Sequence, residues 1–453
     1  VKITKPCVYQ GVAYTHLSDD SRELDSHTLF VRTPLNAAFT PDHPSIEAKQ
    51  LAELFAPLPK IIGITGTNGK TTTAALIYSL LLDLGYSCAL VGTRGVFAND
   101  KQLRPKGLTT PCVLELYEIL AMVGECAFVI MEVSSHAIVQ ERIAGIHFSI
   151  KILTNITSDH LDYHKTQAEY IRVKNSFFSD DGCKIINADE PHASYNRHNA
   201  HTYAIEANAH LKPNAYSLDH AITAHLSYAP ASRAKDSLEH AIIQAPLYGK
   251  HNLYNILAAL LCVKLIAQKP LESCAEYLEH FGGVEGRMEV VSKDPLIIVD
   301  FAHTHDGMEA IFTSFIGKNI AVVFGAGGDR DPTKRPKMGA VAYKYASKLY
   351  ITSDNPRSED PTRIINDILQ GIPKDPKKPV CIDIDRRASI QKAVAELKMG
   401  ELKKGELKME GLGGDWVLLV LGKGDETYQI IGDEKRHFDD RQEIRAALQA
   451  PLP

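Results

Sequence analysis

The sequence predicts an α/β protein of more than one domain, with mostly parallel sheets covered by helices. Three observations carry that expectation. An apolar strand beginning at Ile61 runs through a glycine-bearing turn into a helix-forming segment. Strand and helix patterns alternate from there, give way to antiparallel patterning over 201–248, and resume from Leu296. The 453 residues also exceed what a single core accommodates, so two or three domains are expected.

Composition narrows the class. Hydrophobic residues at 44% and charged residues at 23% describe an ordinary globular chain. A net charge of −5 leaves no electrostatic footprint for nucleic acid. The eight cysteines form no C-x-x-C pair or other ligand spacing, and several lie in apolar runs, which points to buried thiols in a reducing cytoplasm. No apolar run reaches the roughly 18 residues of a membrane span, and no signal-peptide pattern opens the chain, so no membrane insertion is expected. The chain starts at Val1 instead of Met, which leaves room for preceding sequence.

Residues 1–59 contain short strand-like pieces, Cys7–Tyr9 and Thr28–Val31, around Asp20-Ser21-Arg22, then a predicted helix from Ile46 to Phe55. Pro57 and Pro59 end it. A module of this size is expected to pack on its neighbour. The stretch Gly66-Thr67-Asn68-Gly69-Lys70-Thr71-Thr72 then reads as a phosphate cradle, although Ile64 stands where the first glycine of the strict G-x-x-x-x-G-K-[ST] pattern would be. Glycines let backbone N–H groups turn toward an anion, and the following helix adds its positive end. Lys70 suits the β- and γ-phosphates, and the Thr71 hydroxyl suits Mg²⁺.

Strand Cys88–Val91 and helix Val113–Val123 follow, then an apolar run, Cys126–Val133, with Glu132 near its C-terminal end. Ligands of open α/β sheets bind beyond that end of the strands, so Glu132 is either a partner of the metal held by Thr71 or a solvated strand-end acid. After strand Phe148–Leu153, a loop from Thr154 to His164 gathers Asn155, Asp159, His160 and His164. Such groups suit Mg²⁺ or its waters, and composition alone makes this only a polar loop. The next helix, Gln167–Phe178, carries Lys174 among apolar residues, an ordinary position for a snorkelling side chain.

Two helices, through Leu265 and from Leu271 to Phe281, lead to Val284–Glu289. In the second alternation, four strands end in polar motifs: Phe301-Ala302-His303-Thr304, Gly325 to Lys334, Asp354-Asn355-Pro356-Arg357, and Gly422-Lys423-Gly424-Asp425-Glu426. Parallel strands would bring them to one rim, a binding face. Between the last two, Glu396-Leu-Lys, Glu401-Leu-Lys and Glu406-Leu-Lys repeat every five residues, fitting neither helical nor strand periodicity. The 396–414 stretch is expected to be a surface insertion without catalytic weight.

Taken in order, the cradle, Thr109-Thr110-Pro111, Glu132 to His136, Thr154 to His164, Gly249-Lys250-His251-Asn252, Gly286-Arg287-Met288-Glu289, Asp300 to Asp306, Gly327 to Asp331, Asp354 to Arg357 and Gly422-Lys423-Gly424 resemble the ATP-dependent Mur ligases of bacterial cell-wall synthesis. The resemblance implies three domains: 1–59 for the UDP moiety, 60–291 for ATP, and a Rossmann-like 292–453 for an incoming amino acid. It implies a cytoplasmic, monomeric enzyme that adds meso-2,6-diaminopimelate to UDP-N-acetylmuramoyl-L-alanyl-D-glutamate through an acyl phosphate. Lys70, Glu132, His160 and Lys174 match catalytic positions. Lys174 matches a lysine carbamylated by CO₂, which with Glu132 and His160 would hold a second Mg²⁺, while Thr71 and Glu132 hold the first. Asn255, Arg287 and Asp300 match nucleotide contacts. Ser21, Thr109, Thr110, Ser134, Gln140 and Arg142 match contacts to the UDP-linked dipeptide. Arg330, Asp354, Asn355, Pro356, Arg357, Gly422 and Glu426 match the amino-acid site, and lysine-adding members lack the arginine at 357.

Departures from the family pattern are Phe301 where tyrosine is usual, His305 where proline is usual, and Asp425 where histidine is usual. The N-terminal module also reads as several tens of residues short, without the expected glycine-bearing loop after Phe30. Folylpolyglutamate synthetase shares the chemistry but leaves Asp354 to Arg357 unexplained, and a lysine-adding ligase requires Arg357 to point away. A silent nucleotide-binding relative would be expected to have lost Lys70, Thr71, Glu132, His160 and Lys174.

Overall fold

A computed structural model describes residues 1–39, 42–219, 221–230, 238–399 and 416–451. Three main sheets follow one another along the chain. The first has four strands, Lys2–Tyr9, Val12–Ser18, Thr28–Arg32 and Ser45–Glu47, in sequence order. Ile46, expected in a helix, instead lies in the last of these strands, in parallel register with Val31. Burial of Ile46 beside Val31 outweighs local helix preference, and the helix shortens to Leu51–Phe55. This small module does pack on its neighbour: Leu17, Leu29 and Val31 share one core with Leu114, Tyr117 and Val129. The Phe55 and Tyr117 rings meet at 5.4 Å.

The second sheet has eleven strands. Its centre is Lys60–Thr65, flanked by Phe148–Leu153 and Phe128–Glu132, all parallel and all deeply buried, as continuous apolar runs require. Helix Lys70–Asp83 packs against Lys250–Ala267 on one face. The second of these is apolar nearly all round because it is buried nearly all round. A hairpin, Gly95–Ala98 with Lys101–Arg104, extends one edge, and Leu211–Ser217, Ile222–Tyr228 and Glu239–Ala245 form the expected antiparallel end. The hairpin carries little apolar alternation and was not legible in advance.

The third sheet runs Glu289–Lys293, Leu296–Asp300, Trp416–Leu421, Asn319–Phe324, Lys348–Ile351, Val380–Ile382. Its first strand straddles position 291. The four strands that end in polar motifs are adjacent and parallel, so those motifs emerge on one rim. A further hairpin, Tyr428–Ile431 with Glu434–His437, reaches back to the rim, where Arg357 N–H donates to the Ile430 carbonyl.

Helix Arg386–Met399 takes in the start of the five-residue repeat. Glu396 is bound there by Lys348 and Tyr350, which corrects the expectation of a free insertion for its first residues. The rest of the repeat lies outside the described residues. The same helix begins with Arg386, fully buried, whose guanidinium meets Asp440 at 2.7 and 2.6 Å and donates to the Leu421 carbonyl at 3.0 Å. This ties the end of strand Trp416–Leu421 to the last helix. Asp440→Ala is expected to cost about 3–5 kcal/mol of stability in urea denaturation by stranding the buried Arg386 charge. Loss of less than ~1 kcal/mol would mean water reaches the pair. Among the described residues, no helix is long and apolar enough to cross a membrane.

Candidate functional site

The rims of the second and third sheets face each other across one cleft of about 860 Å³. It gathers residues far apart in sequence: the 67–72 turn, Thr109, Glu132, His160, Asn255, Arg287, Asp300, Arg330, Asp354, Asn355, Arg357, Gly422 and Glu426. The expected nucleotide and amino-acid residues thus converge, apart from Gly66 and Pro356, which do not line it. Ser21, Thr110, Ser134, Gln140 and Arg142 do not line it, and Lys174 lies behind its wall.

The turn after Thr65 is shaped by close approach. Gly66 has φ +150°, and a Cβ there would sit 1.8 Å from Thr154 Oγ1, so no side chain fits. The Lys70 ammonium turns back on the cradle, donating to the Gly66 and Thr67 carbonyls at 2.7 and 2.8 Å. Burial pushes its pKa down, against Glu132 and Asp159, which raise it.

Thr71 Oγ1 donates to Glu132 Oε2 at 2.9 Å, and Thr93 N–H donates to Glu132 Oε1 at 2.8 Å. Glu132 is 2% exposed, which removes the reading as a solvated strand-end acid. Thr93 was missed by sequence reasoning, although its place just past strand Cys88–Gly92, on the ligand-bearing edge, was a usable signal. Its hydroxyl also meets that of Thr109 at 3.2 Å, so Thr71, Glu132, Thr93 and Thr109 form one connected set.

Lys174 is the clearest departure from a residue-by-residue reading. It is 1% exposed, so it does not snorkel. Helix Gln167–Ser176 buries Tyr170, Val173 and Lys174, spaced as one helical face, and Thr166 caps it by accepting from the Glu169 N–H. That face aims Lys174 Nζ at the Gly66 carbonyl, 2.8 Å away. Burial first, and Lys70 second, hold its pKa far below the usual lysine value. The Glu132–Thr71 oxygens suit Mg²⁺. An ammonium at Lys174 is no metal ligand, so a second ion requires that group to change sign.

His160 sits at φ +54° on the cleft wall, its Nε2 3.4 Å from Asp159 and its ring edge-on to His136 at 4.9 Å. Asn255 accepts from Thr73 and donates to Asn252 Oδ1 at 2.9 Å, locking helix Lys250–Ala267 to the cradle helix. Arg287 lays its guanidinium 4.2 Å from the Phe301 ring and keeps a buried Nη1 without a hydrogen-bond partner among the described residues. Asp300 accepts from the Met288 and Ala302 N–H groups at 2.7 Å each, and burial pushes its pKa up.

The dipeptide-site candidates form a network beside the cleft. Thr110 is fully buried, donating to the Glu132 carbonyl and accepting from Ser134 N–H. The Ser134 hydroxyl caps helix Ser135–Val139, and Arg142 binds Gln140 Oε1 and the Thr110 carbonyl. Ser21 lies on the N-terminal module in a short turn capped by Asp20, whose carboxylate grips Arg22.

On the opposite rim, Lys423 is fully buried and reaches Asn355 Oδ1 and Glu426 Oε2 at 3.3 Å each. Asn355 in turn donates to Glu426 Oε2 at 2.8 Å. Arg357, at φ +53°, donates from Nη1 to the Gly328 carbonyl at 2.7 Å. Among the described residues no carboxylate pairs with it within 4 Å, and the same is true of Arg330. Behind them Arg335, 1% exposed, clamps Glu359 and Asp367 and donates to the Gly327 carbonyl, fixing both loops. No sequence signal distinguished Arg335 from a surface arginine of its helix. Arg330 and Arg357, with no carboxylate within 4 Å among the described residues, stand opposite the glycine-bearing turn of Lys70, and such groups suit anionic ligands on both walls.

Known proteins resemble this chain along nearly its whole length. The Mur ligase middle domain model matches residues 64–263, and the Mur ligase, glutamate ligase domain model matches 286–424. The UDP-N-acetylmuramoyl-L-alanyl-D-glutamate--2,6-diaminopimelate ligase of Helicobacter hepaticus is 51% identical over 473 residues, covering 98% of each chain. The ligase of that name from Helicobacter pylori is 50% identical over 455 residues, again covering 98% of each. A solved structure of a UDP-N-acetylmuramoyl-L-alanyl-D-glutamate--2,6-diaminopimelate ligase superimposes with a TM-score of 0.62 at 27% identity, covering 95% of this chain and 94% of that one.

Proposed function

The chain belongs to the Mur ligase family, and from that premise we propose that it is the ATP-dependent ligase that joins meso-2,6-diaminopimelate to the D-glutamyl side-chain carboxylate of UDP-N-acetylmuramoyl-L-alanyl-D-glutamate, in the cytoplasm. The observation that carries this reading is Arg357, a cleft arginine with no carboxylate within 4 Å among the described residues, lining the same cavity as Lys70. Diaminopimelate differs from lysine by a second carboxylate beside its distal amine, which a planar guanidinium binds in two-pronged fashion. In this reading residues 1–59 serve the UDP moiety, 60–291 ATP, and 292–453 the amino acid. Folylpolyglutamate synthetase chemistry leaves Arg357 without a task.

A carboxylate is a poor acylating agent, and the reaction solves this in two steps. The glutamyl carboxylate oxygen attacks the γ-phosphorus of ATP, ADP departs, and an acyl phosphate forms. The amine then attacks the acyl carbon, phosphate leaves, and the amine proton passes to solvent. The first step brings two anions together. The cradle N–H groups stabilise the phosphates, and Lys70 exchanges its two backbone carbonyls for phosphate oxygens. Bound at Thr71 and Glu132, Mg²⁺ would neutralise charge on the transferring group. Arg287 would offer its Nη1 N–H, which has no hydrogen-bond partner among the described residues, and Asn255 and Asp300 of the same cavity would meet the nucleotide with it.

Burial and the neighbouring Lys70 favour the neutral amine of Lys174. A neutral amine adds CO₂ and releases a proton, giving a carbamate that, with His160 and Glu132, would supply oxygen and nitrogen donors to a second Mg²⁺. Glu426, with Asn355, would receive the α-ammonium of the amino acid. Thr109, Ser134, Gln140 and Arg142 would contact the dipeptide, with Thr110 accepting from the Ser134 N–H.

The test is phosphate release by the purified chain with ATP, Mg²⁺ and the UDP-linked dipeptide, comparing meso-diaminopimelate with L-lysine. Release dependent on diaminopimelate is expected. Release with lysine alone would overturn the specificity while leaving the chemistry intact.

A further inference from the structure

An ion pair joins the loops that carry the dipeptide-side and amino-acid-side candidates. Lys106 follows the edge hairpin of the second sheet, three positions before Thr109, and its Nζ lies 2.9 Å from Asp425 Oδ2 on the third-sheet rim, next to Glu426. These residues are 319 positions apart in sequence. Asp425 is 9% exposed, and its other oxygen, Oδ1, is buried with no hydrogen-bond partner among the described residues, so Lys106 compensates its charge. The same ammonium lies 5.9 Å from the Phe301 ring, against which Arg287 stacks. The Asp425 loop is held close from behind as well: a Cβ on Gly286, at φ +65°, would stand 2.0 Å from Asp425 N.

On the Lys106 side the connection continues inward. Thr109 meets Thr93, Thr93 meets Glu132, and Glu132 meets Thr71 at the end of the cradle. On the Asp425 side it continues to Glu426, Asn355 and Lys423. Groups that would bind the phosphate-bearing substrate and groups that would bind the amine are thus connected through hydrogen bonds and two loop backbones, and Lys106–Asp425 links the loops.

Resting on the function proposed above, we infer that Lys106 and Asp425 are positioning residues: their pair seats the loop of Glu426 over the cleft when the loop of Thr109 is in place, so that a filled dipeptide subsite strengthens binding of the incoming amino acid. Neither residue touches the reacting atoms. The pair acts through the placement of Glu426, and its effect belongs to the amine substrate more than to ATP.

The test is steady-state kinetics on the full chain for Lys106→Met, Asp425→Asn and the exchange Lys106→Asp with Asp425→Lys. Each single variant is expected to raise KM for diaminopimelate about 10-fold, with KM for ATP within about twofold of the parent. The exchange is expected to recover most of that loss, because opposite charges again face each other. A thermal melt accompanies each protein, and Lys106→Arg, which keeps the charge, serves as a second variant expected to stay near parental KM. An unchanged diaminopimelate KM in Lys106→Met, an equal rise in both KM values, or an exchange variant no better than the singles would overturn the coupling. The parent is the control for the function itself: no turnover with diaminopimelate in the parent overturns the proposed substrate, whereas parental turnover with an indifferent Lys106→Met overturns only this inference.

Discussion

Replacing Arg357 by alanine is expected to raise KM for meso-diaminopimelate by roughly 30- to 5,000-fold, the equivalent of ~2 to 5 kcal/mol for stranding one member of a desolvated charge pair. The side chain is half held already: Nη1 donates to the Gly328 carbonyl, and the backbone is pinned to the Tyr428–Ile431 hairpin by its N–H and to Gly432 by its carbonyl. A guanidinium fixed on that side presents its remaining donors without further loss of side-chain freedom. Arg357→Lys is expected to recover little, since a point charge cannot reproduce two-pronged carboxylate contact. The KM for ATP should stay unchanged in both variants. A diaminopimelate KM unaltered in Arg357→Ala would remove the specificity argument entirely.

The second large effect is at Lys174. Lys174→Ala is expected to lower kcat about 100- to 1,000-fold, the scale of losing one preorganised electrostatic group in a dry site. If the residue acts as a carbamate, short carboxylates such as acetate should partly restore turnover by occupying the vacated space, and alkylammonium ions should not. A plain structural lysine, serving only the Gly66 carbonyl, predicts the reverse order of rescue. Equilibration of the parent with ¹³C-bicarbonate gives an independent readout, a carbamate carbonyl resonance absent from Lys174→Ala. Rescue by amines together with no such resonance would refute the carbamate. Loss of fold in Lys174→Ala is separated from loss of chemistry by its melt and by ATP binding.

Much of the site was legible because its parts are local motifs. A buried apolar strand, a turn that tolerates no side chain at Gly66, and a helix with Lys70 and Thr71 in its first turn are specified within one short stretch. The rim motifs of the third sheet were legible for the same reason: each stands just past a run of apolar residues, and parallel pairing brings such ends together. Ile46 was misread because a short segment with mixed preference took its state from Val31, a partner strand away. The hairpins at 95–104 and 428–437 were missed because their strands, four residues each, lack strong apolar alternation.

What the sequence by itself determined is therefore the chemistry on offer and its order along the chain: the phosphate cradle, an acid at a strand end, and an arginine at a rim. Backbone conformation over a few residues depends on those residues, and motif spacing records it. Tertiary structure alone decided which charges are compensated. Lys174 is buried behind the cradle instead of snorkelling, Glu132 is paired instead of solvated, Arg357 has no carboxylate within 4 Å among the described residues, and Lys106 has Asp425. The free energy of a charge depends on desolvation and on partners that are neighbours only after folding, and no local pattern encodes either.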